Sequence, residues 1–234
     1  MSKFMGVATL FKLMGLEWRK LKQSMIMIEL AIYLLVMLFL PTFFVKTVNP
    51  DFGKSFDSFF VLMQSIQMGW VLFGASLINQ VFIEEYKNKT IFLSFTYPLS
   101  RQKLFLAKVL LISLLVILAT IVSFLLSGIA TYVLDGMFSI FTWQLTSSDI
   151  TTYLGGMIVR SVIITLISFI PLFTFGILEK AVVPAVICSI ASMQLPNFSP
   201  MFNIDPNHVI AVLCILGALS LTLSLMTAER VGDI

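Results

Sequence analysis

Apolar runs of about twenty residues recur six times along this chain, near 25–45, 57–83, 104–134, 152–178, 181–197 and 207–228. A helix of roughly 20 apolar residues crosses the hydrocarbon core of a bilayer. A water-soluble fold has no interior large enough to hide six such runs, so lipid must cover them. Charge tells the same story: Asp, Glu, Lys and Arg make up 12% of the residues, against about 25% in a soluble domain. The runs are continuous rather than alternating, which favours helices over a barrel of roughly ten-residue strands. The expected fold is an all-α membrane protein of about six transmembrane helices, preceded by an N-terminal amphipathic interfacial helix and forming one domain over 1–234. The fifth run holds Pro184 and ends in a stretch with Pro196, Pro200 and Pro206, so a plain crossing helix is not assured there.

Basic residues set the orientation. Lys3, Lys12, Arg19, Lys20 and Lys22 precede the first run, and Lys87, Lys89, Arg101, Lys103 and Lys108 flank the junction of the second and third. With six crossings, Lys180 and Arg230 join them, leaving Lys46 and Lys54 opposite and Arg160 within a span. Both termini are expected in the cytosol. The start does not read as a cleavable leader, because Lys12, Glu17, Arg19 and Lys20 interrupt its apolar residues.

Within 3–22, Phe4, Val7, Phe11, Met14, Trp18 and Leu21 recur at helical spacing, and the cations fall mostly elsewhere. Such a helix lies along the headgroups with its aromatic side in the acyl boundary. It serves as an anchor or as an elbow gripping a bundle that moves. Both readings stand at this point.

The segment 84–103 is the most informative. It begins Glu84-Glu85-Tyr86-Lys87 and ends Tyr97-Pro98-Leu99-Ser100-Arg101-Gln102-Lys103, yet it carries Ile91, Phe92, Leu93 and Phe95. A solvated loop has no use for four large apolar side chains in five positions. They fit a short helix packed on a partner or on the end of the bundle. Pro98 ends that element, and Leu99-Ser100 before Arg101 reads as the start of the next helix.

The order of these residues resembles the signature of the type-2 ATP-binding-cassette (ABC) export permeases: an acidic residue, a Gly-Thr turn, a short apolar segment, then Pro-x-Ser-Arg and a Lys opening the third helix. The matching positions are Glu84 or Glu85, Thr90, Leu93, Pro98, Ser100, Arg101 and Lys108, with Lys89 where the family usually has Gly. The resemblance implies that 84–103, Phe92 included, is a coupling segment docking on a separate cytosolic ABC ATPase present in two copies. ATP and Mg would sit on that partner, and a second permease chain, identical or paralogous, would complete the transporter. The chain itself contains no G-x-x-x-x-G-K-[ST] phosphate loop. Its short outer segments resemble those of compact bacterial permeases for lantibiotic immunity, bacitracin resistance and phenol-soluble-modulin export. That similarity implies amphipathic or antimicrobial peptides as cargo in a bacterial cell membrane.

Polar residues inside the runs are candidates for a conduit: Gln64, Gln67 and Asn79 in the second, Arg160 in the fourth. Hydrogen bonding between helices is the competing reading for the first three. Arg160 is placed to snorkel outward or pair with Asp149, and Glu29 to pair with Lys22 or the headgroups. An ion-coupled transporter or channel is the alternative function, with Glu29 as its thin support. One histidine and two cysteines offer no catalytic or metal-ligand grouping. No cofactor and no nucleic acid is expected for this chain.

Overall fold

The structure, a computed structural model, describes residues 2–87, 101–143 and 145–227, with side chains from residue 10 onward except at 86, 87 and 101. Among these residues every regular element is helical. An N-terminal helix, Ser2–Lys20, precedes six helices long and apolar enough to cross a membrane: Gln23–Thr47, Phe56–Ile83, Gln102–Phe138, Ser147–Ser168, Val182–Phe202 and Pro206–Thr227. The expected fold class holds.

Local chemistry explains where the spans start and bend. Ser55 caps the second span, its hydroxyl accepting from the Ser58 N–H at 3.3 Å. The fourth opens on a reciprocal box in which Thr146 and Asp149 satisfy each other's end of the helix. The fifth is helical after all. Pro184 lies in its first turn, where a missing N–H costs nothing, and Pro196 falls near the end of the α-helical part, which tightens to a 3₁₀ turn at Ser199–Phe202. The third helix begins at Arg101 and runs 38 residues to Phe138. At 1.5 Å per residue it spans roughly 57 Å, well beyond a hydrocarbon core of about 30 Å, so it tilts or protrudes.

The second span is the centre of the bundle. In its most apolar stretch 61% of residues are buried inside the chain, against 22–44% for the other spans. Trp70, Phe73, Leu77 and Ile78 are fully enclosed, meeting Ile26 and Met37 of the first span, Ile112 and Val116 of the third and Ile164 and Ile167 of the fourth. Small residues permit this closeness. A Cβ on Gly74 would stand 2.5 Å from Ser168, and one on Gly217 in the sixth span would collide with the Leu166 carbonyl of the fourth.

The fourth span breaks after Ser168. Pro171 supplies no N–H, and the chain continues as a π-helical turn over Leu172–Leu178. Ser220 of the sixth span repairs the gap. Its hydroxyl donates to the Phe169 carbonyl at 2.7 Å and accepts from the Phe173 N–H at 3.1 Å. Exposed backbone at membrane depth is tolerated only with such substitutes. Ser220→Ala is expected to cost about 1 kcal/mol. Gly217→Val should cost more, because two backbones must separate. Thermal unfolding in detergent ranks the two, and parental stability in Gly217→Val would mean that the fourth and sixth spans do not meet there.

Candidate functional site

The root of the 84–103 segment is built from three helices. The second span ends in a π-helical turn, Asn79–Ile83, followed directly by the short helix Glu84–Lys87. That geometry turns Glu85 toward the third span, where Lys108 waits almost two turns from the helix start. Lys108 is 3% exposed and donates to the Glu85 carboxylate and, at 3.2 Å, to the Val81 carbonyl. The Phe82 ring lies 5.4 Å beneath its ammonium. On the other side stands Glu17 of the N-terminal helix, also 3% exposed, 3.8 Å from Lys108 and 2.6 Å from Lys20. A buried ammonium therefore joins the elbow helix, the end of the second span and the start of the third. Charges removed from water this far persist only when paired.

Glu17 is the residue that sequence reasoning missed. Its signal was a lone carboxylate in an otherwise basic helix, one position before Trp18 of the apolar stripe. The stripe itself divides: Trp18 and Leu21 pack against the core, whereas Phe11 is exposed. Glu84, unlike Glu85, is exposed. Thr90, Phe92, Leu93, Pro98 and Ser100 lie outside the described residues, and Arg101 is described in its backbone alone.

The intramembrane candidates separate by environment. Gln67 is fully buried. Its Oε1 accepts from Ser123 Oγ at 2.8 Å and Trp70 Nε1 at 2.9 Å, while its amide donates to Ser127 Oγ at 3.3 Å. Ser127 in turn donates to the Met37 carbonyl at 3.0 Å. Gln67 thus knits the first three spans together, the helix-packing arrangement. Gln64 is half-buried and has no hydrogen-bond partner among the described residues. Asn79 sits on the π-helical turn, its Oδ1 buried without a partner there. Arg160 is half-buried, and Asp149 is not its partner, being occupied by its own helix cap. Glu29 accepts from Ser76 Oγ at 2.9 Å and Gln80 Nε2 at 3.3 Å across the first and second spans, rather than from Lys22. Among the described residues no group of His, Cys, Asp and Glu could hold a metal ion.

Helices of this length and apolarity, wound around a central second span, define a multi-pass membrane protein. Residues 13–194 match the family described as ABC-2 family transporter protein, and the chain belongs to that family. It is a transmembrane subunit of an ABC transporter. It is also 31% identical, over 77% of its length and 80% of the relative's, to the uncharacterized protein YcbO of Bacillus subtilis. No solved structure matches.

Proposed function

We propose that this chain is the membrane half of an ATP-driven exporter that moves amphipathic or antimicrobial peptides out of a bacterial membrane. Two copies of a separate cytosolic ATPase power it, and a second permease chain completes the pathway. The observation that carries this reading is the Glu85–Lys108–Glu17 junction. A coupling segment is useful only if its displacement reaches the spans. Here its root is tied by a buried ammonium to the elbow helix and the third span at once. The transported substrate class rests on the short distal segments, which leave little room for an outer receptor domain. Gln64, Asn79 and Arg160 remain the polar groups available to a path.

Copurification with the ATPase, followed by peptide-stimulated ATP hydrolysis in liposomes, tests the reading. A permease isolated without any ATPase, whose transport persists without ATP, would defeat it.

Orientation follows from the basic clusters. Single cysteines at Ser2, Asn88 and Asp233 are expected to resist an impermeant thiol reagent applied to intact cells and to react after lysis. Labelling of the Asn88 position from outside would invert the topology.

A further inference from the structure

At the end of the bundle opposite the elbow helix, a cavity of about 800 Å³ opens between the second, third and fourth spans. Its mouth is formed by Leu125, Ile129 and Tyr132, one turn apart along the third span, facing Ile150 and Leu154 of the fourth. All five are exposed and belong to helices long and apolar enough to cross a membrane. Its inner wall is aromatic. Phe59 and Phe141 meet at 4.9 Å between ring centroids, and Phe141 and Trp143 at 5.4 Å.

One charged group stands on this wall. Asp135 is the one charged residue among the described lining residues, and its Oδ1 accepts from the Phe141 N–H at 2.9 Å.

We propose that this cavity binds a single-chain amphiphile with an ammonium-bearing head drawn from the bilayer, its ammonium at Asp135 and its alkyl chain along Leu125, Ile129 and Leu154. Three observations converge. A carboxylate framed by aromatic rings recognises an ammonium group through charge and ring electrostatics together. The volume lies within the roughly 300–1,000 Å³ of small-molecule sites. The polar end sits beyond the apolar mouth along the third span, the order in which a lipid presents head and tail. The site needs no ATPase, so it stands apart from the transport reading.

The test uses the full chain in nanodiscs and two photoreactive probes sharing one diazirine-bearing alkyl chain. One carries a phosphocholine head and the other a phosphoglycerol head. The phosphocholine probe is expected to label peptides spanning 125–132 and 150–154 at about tenfold lower concentration than the phosphoglycerol probe. Asp135→Asn keeps an oxygen for the Phe141 N–H but removes the charge, and should erase the difference between the probes. Ile129→Trp and Leu154→Trp fill the mouth from opposite walls, and each should abolish labelling by both. The unaltered protein decides the matter even if a variant does not fold. Equal labelling by the two heads, or labelling that survives both tryptophans, would reduce the cavity to a patch of ordinary lipid contact and overturn the proposal.

Discussion

Lys108→Met is expected to lower the stability of the permease by about 3–5 kcal/mol, because it removes the buried ammonium that Glu85 shares with the buried Glu17. Glu85 would lose the ammonium to which it is bonded, and Glu17, almost wholly buried, would keep only Lys20. The loss is not a measure of what the cluster contributes. Uncharged, well-packed replacements of a buried ionic group are often neutral or stabilising. The triple variant Lys108→Met, Glu17→Gln, Glu85→Gln should therefore recover most of the thermal stability lost by the single one. It should not recover ATP-driven transport, since a neutral contact holds the segment's root less firmly than an ion pair at the same place. Thermal unfolding in detergent and transport in liposomes separate the two effects. Parental stability in Lys108→Met would show the junction to be solvated and mechanically idle.

Phe92→Asp and Leu93→Asp should each abolish association with the ATPase while leaving the fold intact. Burying a Phe or Leu is worth roughly 1.5–3 kcal/mol, which is about tenfold to more than a hundredfold in affinity. A carboxylate at the same place adds a desolvation penalty. The measurement is ATPase recovered per permease, with export followed in parallel. The acidic pair now divides in a way that sequence alone did not show. Glu84 is exposed, so Glu84→Gln should matter little, surface pairs being worth under about 1 kcal/mol. Glu85 is held by Lys108, so Glu85→Gln should act on stability more than on docking. If both aspartate variants bind ATPase and export normally, 84–103 is not the coupling element.

The spans were legible because hydrocarbon demands continuous apolar sequence, and the six helices fall close to the six runs. Which side of each helix faces inward was not legible. A span is apolar all round, so hydrophobic periodicity, which exposes the buried face of a soluble helix, carries little signal here. This is why Gln67 stood equally open to a conduit or to packing until Ser123 and Ser127 of the third span were seen around it. For Glu29 and Arg160, protein partners were sought among nearby charges. Asp149 instead serves its own helix cap, and Glu29 accepts from the hydroxyl of Ser76 and the amide of Gln80, about fifty positions away. Lys108 was recognisable from the family's residue order, but the depth of its burial depends on Glu17, which no spacing rule connects to it.

The central placement of the second span also bears on how the protein is made. Spans enter the bilayer in the order of synthesis, and this one brings Gln67 with it. Its Trp70 neighbour arrives in the same helix, but Ser123 and Ser127 follow some sixty residues later. Until then the amide has too few partners for a site surrounded by acyl chains. The hairpin of second and third spans, not the single helix, is thus the smallest unit that can rest in lipid with its polar groups satisfied. A ribosome pausing between the two would leave the newborn chain dependent on the insertion machinery.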